Sequence, residues 1–460
     1  MKKLFLGIDC GLTSIKTILF DDQGKRYSFA SKENEVFGGK INTCDLWSKV
    51  VDCIKKTIEV IDARLIEAIS ISGHGNGLYL SVDGKPYHTA YSSMFVGAEK
   101  SSDEISNLTL QTSWSGQPLN ILSKIKQEDV NFFNKIDKIY LCKDFIRYKL
   151  TGEYGLDYSD ASAAGLLDNN TYTVNKKLFE LFDLSGIEKL LPPIYTSYEI
   201  AGRISKECSA VTGLKEGIPV ATGAFDVCSC MVGSTVFNVD SYSIISGTWG
   251  INAALSNEKI NDRNITQCCS FIDNNTNVCI ESAPTSCVNL EWFLKNVRPD
   301  VKYADLPKIF KRQTDLIYLP YIYPSMRNPE QKASFVNLGI NHTYEDMIKA
   351  IMEGVVFGHR VQVQALNKVG LRKEVIVLSG GASNSDEWCQ LFADILKIKI
   401  YTLKEKQCGA LGAAVLAAVA CGYYKNINQA IKNMVYIDKE FCPNNNYEEK
   451  FAEFCKYLGR

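Results

Sequence analysis

Residues 4–21, LFLGIDCGLTSIKTILFD, constrain the fold more than any other stretch. An apolar run ends in Gly7-Ile8-Asp9, turns through Cys10-Gly11-Leu12-Thr13, and sets off again as a second apolar run. That is a strand, a tight turn of small and hydroxylated residues, and another strand, with a lone carboxylate left at the first strand's end. The pattern restarts near residue 240, where SYSIISGTWGINAAL reads as strand, Gly-Thr turn, strand. A second echo follows each hairpin: IEAISISGHGNG and EVIVLSGGASN are both strands running into Gly-rich turns. The same order in two halves supports two similar α/β domains. Length agrees, because 460 residues exceed what one core usually serves. The expected domains are residues 1–240 and 241–460.

Composition narrows the function classes. The chain is 46% hydrophobic and 22% charged, with a formal net charge of −1, so nothing points to nucleic acid or an anionic membrane as partner. Sixteen cysteines are scattered without a CxxC pair, and only four histidines accompany them. Cys228-Ser-Cys230 and Cys268-Cys269 lack zinc-finger spacing, which leaves reduced, mostly buried thiols of a cytoplasmic protein as the expectation. Asp9 stops the N-terminal apolar run too early for a signal peptide. The longest small and apolar stretch, residues 410–422, falls short of the roughly 20 residues a spanning helix needs. It reads as a buried helix whose Gly412, Ala413 and Ala417 admit close approach of other backbone.

The turns carry the chemistry. A phosphate chain wants backbone N–H groups, hydroxyls and a metal ion, with no Cβ in the way. Gly11, Thr13 and Ser14 supply these in the first turn, and Gly247 and Thr248 in the second. Asp9 suits a carboxylate orienting Mg²⁺ through water. Either turn alone is also an ordinary hairpin. There is no GxxxxGK[ST], which excludes a P-loop. GHGNGL at residues 73–78 continues as a strand, whereas a dinucleotide fingerprint needs a helix there.

Asp226, in GAFDVCSC, sits where a strand turns into a helix. It is a helix cap or a catalytic base, and a helix N-terminus would keep it ionised at neutral pH. Phosphoryl transfer needs such an acceptor for the proton of an attacking hydroxyl. Gly380 and Gly381 precede a helix capped near Ser383–Ser385, and would let a flat adenine or a ribose lie against bare backbone. A helix is expected over residues 46–61. Another begins near Glu345 with a capping box from Thr343 to Asp346, and its Gly354 and Gly358 mark close packing on another helix. It carries no assigned chemistry.

In order along the chain, GIDCGLTSIK, ISGHGNGL, GAFDVCSC, SGTWG, EGVVFGHR, SGGASNSDEWCQLFADIL and CGALGAAVLA resemble the FGGY carbohydrate kinases of the actin-like ATPase superfamily. LQTSWSGQPLNIL, ESAPTSCVNLEWF and GAFDV look most like the bacterial L-xylulose kinases within it. The resemblance implies two ribonuclease-H-like domains with a catalytic cleft between them. The first would bind sugar and carry the base, the second would bind nucleotide. It implies ATP, Mg²⁺ and a small sugar or polyol phosphorylated on a hydroxyl, a ketopentose such as L-xylulose being the leading substrate. It makes Asp226 the base, puts Asp9 by the metal, and sets Thr13 and Thr248 against the phosphates. Gly380, Gly381 and Ser385 would face the adenosine, with Ser385 standing where many relatives carry Asn. His74, Asn76 and Met94 fall in the sugar pocket. Here the chain departs from the family. Met94 stands about where a sugar-contacting Asp belongs, unless Glu99 has taken that contact. FGGKINTCD lacks the family's Trp and Glu near residue 40, and Gln is common at position 74. The altered pocket leaves a catalytically weak or inactive sugar or nucleotide sensor that retains the kinase fold as the alternative. The assembly state is open, with a homodimer among the options.

Overall fold

A computed structural model of the chain describes residues 3–98, 100, 103–234, 240–262, 265–323 and 330–459. It separates into two compact units. The first gathers residues Met1–Phe237, Leu255–Val278 and Gln407–Tyr436; the second gathers Asn238–Ala254, Cys279–Lys406 and Ile437–Arg460. In chain order, the elements that position the site begin with β1 (Leu4–Cys10), β2 (Ser14–Asp21), β3 (Arg26–Glu33), α1 (Thr43–Ile58) and β4 (Ile66–Gly73). They continue with α2 (Cys142–Thr151), α3 (Tyr158–Ala163), β5 (Ile200–Arg203), β6 (Pro219–Ala221), β7 (Ala224–Phe225) and α4 (Asp226–Val232). The second unit adds β8 (Ser241–Ser246), β9 (Gly250–Ser256), α5 (Val288–Asn296), α6 (Tyr344–Lys368), β10 (Val375–Ser379), α7 (Asp386–Leu396) and β11 (Lys399–Leu403). Then α8 (Cys408–Ala420) returns to the first unit and β12 (Ile437–Phe441) to the second.

In the first unit the strand order is β5-β6-β4-β1-β2-β3, with β7 also paired to β4. β1 and β2 form the expected hairpin, closed where the Gly11 N–H donates to the Ser14 carbonyl at 2.9 Å. β1 then pairs in parallel with β4. β1 is apolar and buried along nearly its whole length, as a strand covered on both faces must be. α1 buries Leu46, Val50, Ile54 and Ile58, the i, i+4 stripe of an amphipathic helix. It starts at Thr43, earlier than the apolar spacing predicts, because the Asn42 side chain accepts from the Cys44 and Asp45 N–H groups and caps it.

α8 is the small, apolar helix read from residues 410–422, and residues 408–418 are all buried. A Cβ on Gly412 would lie 1.8 Å from the Ser229 carbonyl oxygen, so α8 and α4 touch backbone to backbone. No helix among the described residues is long and apolar enough to cross a membrane.

The second unit repeats the motif. β8 and β9 are an antiparallel hairpin, and β8 pairs in parallel with β10. β11 follows in parallel and β12 closes the row antiparallel. The orders β4-β1-β2 and β10-β8-β9 correspond, so the sequence echoes are echoes of topology. On α6 the Asp346 carboxylate accepts from the Thr343 N–H at 2.8 Å, completing the capping box. Gly354 does mark a close approach, but to a strand rather than a helix: a Cβ there would meet the Tyr318 carbonyl at 2.3 Å, and Tyr318 lies in the strand Ile317–Leu319.

Candidate active site

Three parallel neighbours in the first unit end side by side. Asp9 on β1 is in register with Ser72 on β4, and Ala224 and Phe225 of β7 are in register with Ser72 and Gly73. Asp9, His74 and Asp226 therefore come together at the carboxyl ends of adjacent strands, where open α/β sheets place their ligands. The His74 N–H donates to the Cys10 carbonyl at 2.9 Å, locking the turn after β4 to the end of β1. The Phe225 N–H donates to Ser159 Oγ at 2.9 Å, and Ser159 Oγ donates to Asp157 at 2.5 Å. Lys143 pairs with Asp157 and Asp144, each at 2.8 Å, in a fully buried network. The backbone that delivers Asp226 is thus fixed from behind.

Electrostatics set the protonation of this group. Burial, and then the neighbouring Asp9 carboxylate, push Asp226 up to about 7, against the pull of His74 and of the Val227 N–H at 2.7 Å. This corrects the expectation that a helix N-terminus keeps Asp226 fully ionised. α4 has only seven residues and starts at Asp226 itself, with Phe225 at the cap, so its dipole loses to desolvation and a like charge. Asp9 is raised too, by burial, against the pull of Lys16 across the hairpin and of the neighbouring Ser72 hydroxyl. Burial also pulls the His74 imidazolium down, but Cys142 and the Asp226 and Asp160 carboxylates more than offset it, and His74 is held above its ordinary value.

In the turn that follows β4, two buried polar atoms, His74 Nδ1 and Asn76 Oδ1, have no hydrogen-bond partner in the protein. His74 Nε2 lies 3.0 Å from the Tyr79 hydroxyl, and Asn76 holds a positive φ of 59°. Buried polar groups left without partners are the exception, and a ligand hydroxyl would satisfy both. Met94 is different. It is 52% exposed in the turn after Ser92, and that turn packs on the Gly39 carbonyl, which accepts from the Ser92 N–H at 2.8 Å. The two segments that depart from the family are therefore neighbours. Glu99 lies outside the described residues.

In the β1–β2 turn, Gly11 and Ser14 are half-buried and Thr13 is exposed. The second unit sets its turns side by side in the same way. Ile245 is in register with Ser379, so Gly247 and Thr248 after β8 adjoin Gly380 and Gly381 after β10. Gly380 has a φ of 85°, and a Cβ there would fall 2.6 Å from the Ser246 carbonyl, so only glycine fits. Ser385 caps α7, accepting from the Trp388 N–H at 3.2 Å and donating to Glu387 at 3.0 Å. Among the described residues no cluster of three or more metal-ligating side chains exists.

Sequence reasoning missed Lys16, Ser72, Ser159 and Gly409. Only Lys16 had a signal, since a hairpin turning through residues 11–13 sets it opposite Asp9. Gly409 opens α8 with Asp9 packed on it: a Cβ there would be 2.9 Å from the carboxylate.

Two α/β units built on one repeated strand order define the two-domain, actin-like ATPase class of fold. The chain belongs to the FGGY family of carbohydrate kinases, whose N-terminal domain matches residues 4–233 and whose C-terminal domain matches residues 308–421. It is accordingly an ATP-dependent sugar kinase. It is 28% identical to the "Probable L-xylulose kinase" of Haemophilus influenzae, over 99% of this chain and 98% of the other. It is 26% identical to the L-xylulose/3-keto-L-gulonate kinase of Escherichia coli, over 99% of this chain and 96% of the other. The crystal structure of a ligand-bound xylulose kinase from Lactobacillus acidophilus has the same fold, with a TM-score of 0.92 at 22% identity, covering 99% of this chain and 98% of that one.

Proposed function

We propose that this kinase acts in the cytoplasm on a ketopentose, L-xylulose or a close relative, using ATP with Mg²⁺. The observation that carries the reading is the juxtaposition of Asp226, Asp9 and His74 beside two buried polar atoms without partners. The names of the relatives point to the substrate class. In this reading residues 1–240 bind the sugar through His74 and Asn76, and residues 241–460 bind the nucleotide. Gly11, Thr13, Ser14, Gly247 and Thr248 face the phosphates, and Gly380, Gly381 and Ser385 face the adenosine. Asp226 accepts the proton of the attacking hydroxyl as its oxygen bonds to the γ-phosphorus and the bond to the β-phosphate oxygen breaks, leaving ADP. The transition state is loose, so Asp226 orients the hydroxyl more than it pulls on it. Asp9 is the carboxylate for Mg²⁺, which is usually held by one or two carboxylates plus substrate phosphates and which neutralises charge on the transferring group. All sixteen cysteines are free thiols, which suits a reducing compartment.

The test is ADP release measured across ketopentoses, aldopentoses, hexoses and polyols. A ketopentose should give the highest kcat/KM. A hexose or polyol in first place removes the proposed substrate class. Met94→Asp belongs in the same screen. It restores a carboxylate where relatives contact the sugar, and sites that hydrogen-bond a hydroxyl discriminate by up to ~10⁴-fold, against about 10–200-fold for apolar sites. The ratios of kcat/KM among L-xylulose, D-xylulose and L-ribulose should shift by about tenfold or more. Unchanged ratios put Met94 outside the sugar site.

The pH profile follows from Asp226. Its proton-accepting form is lost as pH falls through about 7, so kcat/KM should fall on the acid side of that value. The Asp9 charge helps hold Asp226 up, so Asp9→Asn should move this limb to lower pH. A limb that stays in place separates the two carboxylates electrostatically.

A further inference from the structure

A line of buried polar groups runs from the 247–248 turn into the middle of α6. Ser246 Oγ lies 3.0 Å from Ser286 Oγ, and Ser286 Oγ lies 3.0 Å from His359 Nε2. On the other side of the ring, His359 Nδ1 lies 3.0 Å from Asn252 Oδ1, and Asn252 Nδ2 donates to Gln362 Oε1. Ser246, Ser286, His359 and Asn252 are each 2% exposed or less. They come from three separate strands and loops and one helix.

The arrangement has the outline of a serine–histidine–amide triad. It is not a nucleophile, because Ser286 is 1% exposed and no substrate can reach it. The polarity of the line is set from its far end. The Asn252 amide donates to Gln362, so its oxygen faces His359 and accepts the Nδ1 proton. Nε2 is left as an acceptor for the Ser286 hydroxyl, and Ser286 in turn accepts from Ser246. A neutral imidazole is required, and burial keeps it so, pulling His359 down to about 3.

What Ser286 does next gives the line its use. Its backbone N–H donates to the Thr248 carbonyl at 3.0 Å, and the following Cys287 N–H donates to the Gly247 carbonyl at 2.8 Å. Both carbonyls of the turn are thereby directed toward the interior. A turn whose carbonyls are held inward presents its other face to an anion without a repelling oxygen.

We propose that His359 is a positioning residue for ATP: held by Asn252, it fixes Ser286, and Ser286 and Cys287 hold the 247–248 turn in its phosphate-accepting shape. This rests on the reading that the 247–248 turn faces the ATP phosphates. The helix bearing His359 had no chemistry assigned to it in the sequence, and the proposal gives it one at second hand, through the turn.

The experiment uses the full chain with His359→Phe, His359→Gln, Ser286→Ala and the double variant His359→Phe/Ser286→Ala. Phenylalanine keeps a ring but neither nitrogen; glutamine keeps an acceptor that can reach Ser286. Coupled neighbours typically share enough free energy for about 2- to 150-fold effects. The expected result is a rise of about tenfold in the KM and Kd for ATP with His359→Phe and Ser286→Ala, with the sugar KM changed by less than about twofold. His359→Gln should recover most of the loss, and the double variant should be no worse than the poorer single one. A lowered Tm with ATP and sugar parameters unmoved, or moved equally, assigns His359 to packing and overturns the proposal. Should His359→Phe fail to fold, Ser286→Ala decides by the same ratio of ATP to sugar effects. Gly247→Val separates the underlying reading. A Cβ at Gly247 meets nothing nearer than 4.0 Å, so the substitution touches the ligand's space before the fold. Weaker ATP binding by Gly247→Val with unaltered His359→Phe overturns the relay alone. Unaltered ATP binding by Gly247→Val overturns the phosphate turn, and the relay's role with it.

Discussion

Asp226→Asn is expected to lower kcat by about 10³-fold or more, within and beyond the usual ~10²–10⁴ range for loss of a general base. The amide has the shape of the carboxylate, and its oxygen can still accept from the Val227 N–H that Asp226 holds at 2.7 Å. It cannot take a proton from the sugar hydroxyl. Binding should change little, because the substituted atoms stay in place while a like charge beside Asp9 disappears. Repulsion from Asp9 is one of the causes holding Asp226 up to about 7, so removing the Asp226 charge relieves the first unit instead of destabilising it. The signature is therefore a fall in kcat with the Kd for ATP and the KM for sugar close to wild type. Turnover within about threefold of wild type would remove Asp226 from the base role. A raised sugar KM at unchanged kcat would make it a binding group only.

The sequence shows where such a residue sits better than what state it is in. The hairpins around residues 11–13 and 247–248 are legible because small residues between apolar runs have few other uses. The capping box of α6 is legible for the same local reason, as Thr343 and Asp346 are three residues apart. The protonation of Asp226 is not local. It depends on Asp9, which is far away in the chain and arrives by the β1–β4–β7 register. The buried support of Ser159, Asp157 and Lys143 is likewise spread over separate segments, and each member reads in isolation as an ordinary polar residue. His359 is the sharpest case. Helical periodicity makes it a core position, and only the fold brings Ser286 and Asn252 to its two nitrogens. The small residues of α8 announced a close approach, yet its partner could not be read from them. Ser229 on α4 and Asp9 on β1 are distant in sequence and meet α8 through packing alone.

Asp9→Asn is expected to be the second most damaging substitution, lowering kcat by about 10²–10³-fold, the scale seen when one preorganised electrostatic group is removed. Asp9 is half-buried, faces Lys16 across the hairpin and is in register with Ser72 on β4. It also lies on the first turn of the 13-residue helix α8, whose N-terminal dipole favours an anion there. Burial still raises its pKa above the ordinary carboxylate value, so the empty-handed charge is uncomfortable in this position. A divalent cation beside it would offset that cost, which is the physical reason to expect Mg²⁺ where ATP brings it. Asparagine keeps the shape and loses the charge. The Mg²⁺ concentration for half-maximal activity should rise together with the fall in kcat, and titration calorimetry should show weaker binding of Mg²⁺–ATP than of wild type. Gly409→Ala tests the same site without touching the carboxylate. Its Cβ would fall 2.9 Å from Asp9 Cγ and 3.0 Å from Oδ1, so the side chain must shift by several tenths of an ångström. A smaller loss in the same direction, with the same rise in Mg²⁺ requirement, is the expected outcome. If Asp9→Asn keeps the wild-type Mg²⁺ midpoint and turns over within about threefold of wild type, Asp9 is a structural strand end and the metal is held by other groups.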